Sequence, residues 1–240
     1  MLVLAHRGMG KGRFENTLIS FKEGLGYGAH GIETDVRLTR DGVVIVNHDA
    51  DLKRTLGLDI KISELSLEEL RSRDLLGEDR LITLRELYNL LPEDKFFDVE
   101  IKDPRAVEGV IEIVKEFHAL DRTMFSSFHH DCLLQFKEVF GSSAVIAPLV
   151  DKEVLSEGAE EVLFETIRRY TPVSLNPNKE LFSYMGIEKG IELLERIRKA
   201  GVKIALWTLN DPALFLQVRD VCDFLITDRS DLMVEALNSY

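Results

Sequence analysis

Charged side chains lie inside two apolar segments of the chain, at spacings that could support chemistry. Glu33 and Asp35 fall within the sequence Gly-Ile-Glu-Thr-Asp-Val, and Glu100 and Lys102 fall within Phe-Asp-Val-Glu-Ile-Lys. Side chains alternate between the two faces of a strand, so each pair points to one face while its apolar neighbours point to the other. Unpaired charges buried there would cost several kcal/mol each. The carboxylates must therefore be protonated, paired with cations or bound to a metal ion.

The three carboxylates form an oxygen-rich set of possible metal ligands. Such a set suits Mg²⁺, Ca²⁺ or Mn²⁺ better than Zn²⁺, which prefers nitrogen and sulfur. The structural alternative is a salt-bridge cluster, in which Arg7 and Lys102 neutralise the three carboxylates without any ion. The convergence of all five groups with two histidines favours a functional site over such a cluster.

Two histidines lie where they could take part in acid–base chemistry. His6 ends the first apolar segment and is followed by Arg7, and His48 ends a later segment and is followed by Asp49. An unperturbed histidine titrates at about pH 6.5, so it can donate or accept a proton at neutral pH. The other histidines are expected to serve the structure, to cap a helix or to face solvent: His30, His118, His129 and His130.

A few further residues carry weaker signals. Trp207 ends an apolar segment and is predicted to stack on a substrate, although a lone tryptophan belongs to a core at least as often. Asn176 is expected either to bind a ligand or to cap a helix. The glycines at positions 8, 10 and 12 resemble a phosphate-binding spacing, but this spacing has little specificity without the surrounding elements of a Rossmann fold.

The elements that must position these residues alternate along the chain. Short apolar or β-branched segments predict strands at residues 2–5, 31–38, 96–101, 123–126, 144–147, 172–175, 203–207 and 223–227. Segments of helical period predict helices at residues 17–27, 84–91, 105–119, 131–140, 159–170, 186–200, 212–219 and 230–237. Such alternation predicts parallel strands joined by helical crossovers. Eight units in 240 residues predict an α/β fold, a closed (β/α)8 TIM barrel, with an open doubly wound sheet as the alternative.

Two features interrupt this alternation after the second strand. The sequence Thr-Arg-Asp-Gly at residues 39–42 predicts a hairpin, because Asp-Gly accepts positive φ angles, and residues 43–46 are then expected to return as an accessory strand. Residues of roughly 50–82 form an insertion with one short helix near residues 67–73. Excess chain after a barrel strand usually lies at the carboxyl ends of the strands, where a barrel carries its active site. We therefore predict a single catalytic barrel domain over residues 1–240.

The composition excludes several classes of protein. The chain has 42 acidic and 30 basic side chains and a net charge of −12, which argues against a nucleic-acid binder or an anchor on anionic lipid. Its longest stretch without a charged residue, at residues 139–150, has twelve residues, whereas a bilayer-spanning helix needs about 20. The first residues contain no basic n-region, and the two cysteines form no CxxC pair. These features favour a cytoplasmic enzyme or binding domain.

The chain closely resembles the glycerophosphodiester phosphodiesterase family over nearly its whole length. Any single match is weak, but the ordered set is specific. The matching positions are His6-Arg-Gly8, Glu15-Asn-Thr17, Glu33-Thr-Asp35-Val, Thr39-Arg-Asp-Gly42, His48-Asp49, Arg54-Thr55, Gly57, Glu100-Ile-Lys102, Ser127-Phe128, Leu206-Trp-Thr-Leu-Asn210 and Ile226-Thr-Asp-Arg229. The chain departs from the family pattern at Phe14 and Ser230, where proline is common, and neither position touches the expected chemistry.

The resemblance implies a (β/α)8 barrel with an insertion after the second strand unit. It also implies divalent-metal hydrolysis of small glycerophosphodiesters to sn-glycerol 3-phosphate and an alcohol. The metal ligands would be Glu33, Asp35 and Glu100, with Mg²⁺ or Ca²⁺ as the expected ion and Mn²⁺ as an alternative. His6 and His48 would act as general acid and base. Arg7 and Lys102 would contact the phosphate or support the metal ligands.

Two other functions remain open on the sequence. A lysophospholipase D-like hydrolase on longer-chain lipids needs an apolar groove beside the metal, and a non-catalytic phosphate-binding barrel needs no acid–base pair. The chemical route is also open. The nucleophile is either the 2-hydroxyl of glycerol, which gives a cyclic phosphate, or a water molecule that attacks phosphorus directly. Head-group preference and oligomeric state are not predicted.

Overall fold

The computed structural model of the chain describes residues 1–9 and 14–239, with the backbone alone over residues 153–157. Within these residues the chain forms twelve strands. They are β1 (Leu2–His6), β2 (Gly31–Leu38), β3 (Val44–Val46), β4 (Asp51–Leu52), β5 (Leu58–Lys61), β6 (Ile82–Thr83), β7 (Phe96–Ile101), β8 (Thr123–Ser127), β9 (Val145–Val150), β10 (Ser174–Pro177), β11 (Lys203–Leu206) and β12 (Phe224–Thr227).

Eleven α-helices lie in the same described ranges. They are α1 (Leu18–Gly26), α2 (Lys53–Leu56), α3 (Leu67–Ser72), α4 (Leu84–Leu90), α5 (Val107–Glu116), α6 (Leu133–Phe140), α7 (Lys152–Tyr170), α8 (Leu181–Met185), α9 (Ile187–Lys199), α10 (Pro212–Val218) and α11 (Ser230–Asn238). None of the helices in the described ranges is both long enough and apolar enough to cross a membrane.

Eight parallel strands close into a barrel. Their order around the barrel is β1, β2, β7, β8, β9, β10, β11 and β12, and β12 pairs with β1 to complete the ring. All eight correspond to predicted strands, so the (β/α)8 barrel is confirmed. Because parallel strands of a closed barrel all end on the same side, side chains that follow different strands meet at one mouth.

Some boundaries differ from the predictions. The helix predicted over residues 159–170 is the second part of α7, which begins at Lys152 and contains non-helical geometry at Gly158, with φ 156°. The short helix α8 lies before the helix predicted over residues 186–200 and was not predicted. The strands predicted at residues 144–147 and 172–175 instead span Val145–Val150 and Ser174–Pro177. None of these differences moves a predicted site residue away from the mouth.

The insertion leaves the barrel after β2, as predicted. Strand β3 pairs antiparallel with β2, with Val46 opposite Val36, and β6 pairs with β3 on its outer side. Between β3 and β6 lie the β4–β5 hairpin and α3, which cover a small apolar cluster of their own around Leu52, Ile62 and Leu70. The insertion therefore extends the chain beside the carboxyl ends of the strands.

The barrel interior is apolar at its base and polar at its mouth. Leu4, Met124, Phe224 and Ile226 belong to one buried cluster of strand residues. His30 lies at the amino end of the strands, where its Nδ1 accepts a hydrogen bond of 3.1 Å from the backbone amide of Val3. This contact confirms the structural role predicted for His30. The ionisable residues of the strands lie at the opposite end.

Candidate active site

A cavity of 170 Å³ opens at the carboxyl ends of the barrel strands. Its walls include seven of the eight predicted site residues, while Asp35 is fully buried directly behind them. The lining residues are His6, Arg7, Glu33, His48, Asp98, Glu100, Lys102, Ser126, Phe128, Leu149, Asp151, Trp207 and Ile226. The sequence prediction that these side chains converge at one mouth is therefore confirmed.

The strand register explains how the carboxylates meet. β2 and β7 pair so that Glu33 lies beside Asp98 and Asp35 lies beside Glu100. Each of Glu33, Asp35 and Glu100 can offer one oxygen such that the three atoms lie within 4.8 Å of one another. All three residues are buried. Three buried oxygens at this separation fit the donor set and size that a hard divalent cation requires.

Two basic side chains, Arg7 and Lys102, form ion pairs with this cluster. Arg7 Nε lies 3.1 Å from Asp35 Oδ2, and Lys102 Nζ lies 3.3 Å from Asp35 Oδ1 and 2.6 Å from Glu100 Oε1. Asn16 adds a hydrogen bond of 2.8 Å from Nδ2 to Asp35 Oδ2. Burial alone would raise the pKa of Asp35, but Arg7 and Lys102 outweigh it and hold that pKa well below its usual range. Asp35 is therefore ionised.

The pKa values of the other carboxylates shift in the opposite direction. Burial, followed by repulsion from Asp35 and Glu100, raises the pKa of Glu33 well above its ordinary value. Burial and repulsion from Asp35 raise the pKa of Glu100 to about 8, and burial raises the pKa of Asp98 to about 7. The protein thus holds more carboxylates here than Arg7 and Lys102 can neutralise. A divalent cation bound here would supply the charge that lets Glu33 and Glu100 ionise together.

His6 lies between two acidic residues. Its Nδ1 is 2.7 Å from Asp228 Oδ1, and its Nε2 is 3.7 Å from Glu33 Oε2. Asp228 directly follows β12, the strand that pairs with β1. The second oxygen of Asp228 accepts a hydrogen bond of 2.7 Å from Asn210 Nδ2. His6 is thus held through Nδ1 with Nε2 toward the cavity.

His48 is held in the same way from the insertion side. Its Nδ1 is 2.7 Å from Asp49 Oδ1, and Asp49 Oδ2 accepts a hydrogen bond of 2.7 Å from Arg54 Nε. Arg54 also donates two hydrogen bonds of 2.6 Å to Glu15, which accepts another from Arg7. Burial lowers the pKa of His48, which favours its neutral form. A chain of ion pairs thus connects the insertion to β1.

The aromatic side of the cavity is formed by Trp207 and Phe128. Their rings meet edge to face with centroids 5.6 Å apart, and the Trp207 Nε1 donates a hydrogen bond of 2.7 Å to the Asn176 carbonyl oxygen. Trp207 is therefore at the cavity wall, where a substrate could contact it. His129 and His130 lie outside the residues that line the cavity, and His130 Nε2 is 2.8 Å from the Leu149 carbonyl oxygen.

Sequence reasoning missed several side chains that support the site. Asp98 follows the same alternation as Glu100, so the spacing signal for it was present. Glu15, Asn16 and Asp228 lie in segments that matched the family pattern without a role assigned to them. Their contacts depend on tight backbone conformations and strand register. Arg7 and Asn16, for example, both have positive φ angles, of 51° and 58°.

The glycine after Arg7 has a packing role. Gly8 has φ 81°, and a Cβ built there would lie 2.4 Å from the Ser20 carbonyl carbon. The other two glycines of that spacing, at positions 10 and 12, lie outside the described residues. Gly8 therefore allows the segment carrying His6 and Arg7 to pack directly on helix α1.

Substitution of Gly8 with alanine should lower the free energy of unfolding by clearly more than the roughly 1–3 kcal/mol of a strained φ angle alone. The added Cβ must also displace the backbone at Ser20. Gly42→Ala is the matched control, because Gly42 has φ 84° and its Cβ would meet nothing within 4 Å. Urea unfolding of both variants measures the difference. Equal losses would show that the close approach at Gly8 has no energetic consequence.

A closed parallel barrel with ionisable side chains gathered at its carboxyl mouth defines the class of protein, a (β/α)8-barrel enzyme. Comparison with known proteins identifies the family. Residues 6–232 match the glycerophosphoryl diester phosphodiesterase family. A glycerophosphodiester phosphodiesterase of Caldanaerobacter subterraneus is 31% identical over 97% of this chain and 96% of its own. The chain therefore belongs to the glycerophosphoryl diester phosphodiesterase family and is a phosphoric diester hydrolase.

Solved structures show the same fold. The glycerophosphodiester phosphodiesterase of Thermotoga maritima superposes with a TM-score of 0.83 at 36% identity and covers 98% of this chain and 97% of its own. A phosphodiesterase of Oleispira antarctica, solved with the product sn-glycerol-3-phosphate, has a TM-score of 0.79 at 22% identity and covers 99% and 97% of the two chains. The second similarity establishes the fold alone.

Proposed function

We propose that this enzyme hydrolyses small glycerophosphodiesters to sn-glycerol 3-phosphate and an alcohol with the help of a divalent cation. The observation that carries the proposal is the cluster of three buried carboxylates beside two histidines, each of which is held by an aspartate through Nδ1. In this proposal Glu33, Asp35 and Glu100 hold Mg²⁺ or Ca²⁺, with Mn²⁺ as an alternative. The product seen in the Oleispira antarctica phosphodiesterase supports the identity of the released phosphate.

The two histidines would share the proton transfers. A phosphodiester is anionic and its alkoxide leaving group is poor, so the nucleophile must lose a proton and the departing oxygen must gain one. His6 and His48 both line the cavity and keep Nε2 for this exchange, since Nδ1 is occupied in each. One would accept the proton of the nucleophile while the other donates to the alcohol.

Arg7, Lys102 and the cation would balance the charge of the phosphate. Bound at the triad, the cation supplies electrostatic stabilisation to the phosphoryl oxygens. Arg7 and Lys102 line the same cavity and add fixed positive charge there. This local charge must outweigh the net charge of −12, whose effect at long range is screened beyond about 8 Å at physiological salt.

The alternatives fit the structure less well. A lysophospholipase D-like enzyme needs an apolar groove, whereas the apolar part of this 170 Å³ cavity is confined to Phe128, Leu149, Trp207 and Ile226. A non-catalytic phosphate-binding barrel would not need two histidines held with Nε2 toward the ligand. Both alternatives also predict assay results that differ from those expected for the hydrolysis of small glycerophosphodiesters.

Release of glycerol 3-phosphate from glycerophosphocholine should require a divalent cation. We expect activity to disappear in EDTA and to return with Mg²⁺ or Ca²⁺, because without the cation the site lacks the positive charge that would stabilise the phosphoryl oxygens. Glycerol 3-phosphate released from each sample can be measured with a coupled dehydrogenase assay. Full activity in EDTA would remove the role assigned to the carboxylates. Activity on lysophosphatidylcholine alone would favour the lipid alternative.

We also propose that residues 1–240 form one catalytic domain in which the insertion, at roughly residues 50–82, contributes to the active site. The contacts of Arg54 with Asp49 and Glu15 support this proposal, because they connect the insertion with both His48 and β1. A cytoplasmic location is supported by Cys132 and Cys222, which are both free and buried.

A further inference from the structure

Two residues in segments that match the family pattern have no part in the reaction described above. They are Asn210, in the loop after β11, and Asp228, directly after β12. Both follow barrel strands and therefore lie at the mouth of the barrel. Strand β12 pairs with β1 so that Thr227 lies opposite Ala5. The next residues, Asp228 and His6, are therefore neighbours at the point where the two strands leave the barrel.

The contacts of Asp228 fix its carboxylate in one orientation. Oδ1 lies 2.7 Å from His6 Nδ1, and Oδ2 accepts a hydrogen bond of 2.7 Å from Asn210 Nδ2. The amide of Asn210 is itself fixed, because its Oδ1 accepts hydrogen bonds from the Asp228 backbone amide at 2.9 Å and from Thr227 Oγ1 at 3.0 Å. Asn210 must therefore present its NH₂ group to Asp228.

We propose that Asp228 is a positioning residue for the reaction, which it serves through His6. The inference rests on the proposed function, in which His6 transfers a proton. A carboxylate can only accept a hydrogen bond, so the Nδ1 of His6 carries the proton and Nε2 is the nitrogen available to the substrate. The same contact prevents the ring from flipping. Asn210 acts one step further away, by holding the carboxylate that holds the ring.

Asp49 holds the Nδ1 of His48 in a similar way, but the surroundings of Asp49 differ from those of Asp228. Asp49 also accepts a hydrogen bond from Arg54, and Arg54 is ion-paired with Glu15. A substitution at Asp49 would therefore disturb the insertion as well as the histidine. Asp228 lies after β12, outside the insertion, and accepts one of its hydrogen bonds from the neutral amide of Asn210, so a substitution there leaves the contacts of Arg54 with Asp49 and Glu15 in place.

The decisive variant is Asp228→Asn. The carbonyl oxygen of the new side chain can accept the hydrogen bond from Asn210, which turns its NH₂ group toward His6. The Nδ1 of His6 must then accept, so the ring is held in the wrong tautomer. We expect kcat for glycerophosphocholine to fall by about 10²–10⁴-fold with KM nearly unchanged, by analogy with the asparagine substitution in the serine-protease triad. The substitution Asn210→Ala should have a smaller effect and lower kcat by about 10-fold, because Asn210 acts on His6 only through Asp228.

A double substitution separates positioning from an independent role. If Asp228 acts through His6, Asp228→Asn should cause no further loss of kcat in a His6→Ala background. Asp211→Asn is the matched control for charge, since exposed Asp211 caps α10 by accepting a hydrogen bond from the Ala213 amide and asparagine caps equally well. This control should retain the wild-type kcat.

The outcomes distinguish this inference from the proposed function. Wild-type kcat in Asp228→Asn, together with the expected loss of kcat in His6→Ala, would overturn the inference and leave the proposed function intact. Losses that multiply in the double variant, or a loss confined to KM, would also overturn it. Wild-type activity in His6→Ala would instead contradict the role of His6 in the proposed function. Urea unfolding of each variant verifies that the fold is retained.

Discussion

Replacement of either His6 or His48 with alanine is expected to lower the turnover of glycerophosphocholine by about 10²–10⁴-fold. In the proposed reaction each substitution removes one of the two proton transfers, while the carboxylates, Arg7 and Lys102 remain in place. Two such contributions amount to at most roughly 5–11 kcal/mol of transition-state stabilisation, if they add. The remaining acceleration must come from the charged groups around the phosphate, so both variants should keep measurable activity.

These losses should not reflect unfolding. The His6 and His48 side chains are 17% and 31% exposed at the mouth of the barrel, away from the apolar core. The free energy of unfolding should change by about 1 kcal/mol or less, as measured by urea denaturation. His129→Ala is the matched control, because His129 is exposed and does not line the cavity. Near-normal turnover in either active-site variant would refute the role assigned to that histidine.

The barrel was predictable because its signals are local. Each strand is a short apolar segment, each is followed by a segment of helical period, and eight such units suffice to close the ring. The boundaries that were wrong involve particular residues. Pro148 lies inside strand β9 and Pro177 is the last residue of β10, although proline cannot donate to a strand ladder and usually argues against a strand. Gly158 similarly interrupts α7 in the middle of its helical signal.

The strand-borne part of the site was predictable for the same reason. Glu33, Asp35 and Glu100 could be assigned to one face from alternation alone, since a charge is rarely found in a buried strand without a function. The partners of the histidines could not be assigned in this way. The contact between Asp228 and His6 depends on the register between the first and last strands, which are more than 200 residues apart in sequence. No local pattern encodes that register.

The largest effects on stability are expected at the carboxylates, where two similar substitutions should act in opposite directions. In the absence of an ion, Glu33 has a raised pKa because of burial and repulsion from Asp35 and Glu100. Glu33→Gln resembles its protonated form and removes that repulsion. The variant should unfold in EDTA at the same or a higher urea concentration than the wild type. Its activity should nevertheless fall by about 10²-fold or more, because a proposed ligand of the cation is lost.

Asp35→Asn should have the opposite effect on stability. Asp35 is fully buried and ionised, with Arg7 at 3.1 Å and Lys102 at 3.3 Å. Removal of its charge leaves both cations with less compensation inside the protein. Breaking a buried ion pair by removing one partner costs roughly 3–5 kcal/mol, and Glu15 and Glu100 should hold the loss near the lower limit. Equal stability of Glu33→Gln and Asp35→Asn in EDTA would contradict this account of the charges.

The pH dependence of metal binding should depend on the protonation of the same carboxylates. The pKa of Glu100 rises from 4.5 to about 8 and that of Glu33 rises too, so between these pH values the two side chains bind more protons in the folded protein without metal than in the unfolded chain. Their contribution to stability is therefore present below about pH 4.5 and is lost as the pH rises through about 8. A cation must displace these protons, so it binds more tightly as the pH rises. The increase in Tm caused by Mg²⁺ should consequently be larger at pH 8.5 than at pH 6, and Glu33→Gln should abolish most of it. If the increase were independent of pH in the wild type, the ion would not be bound by these carboxylates.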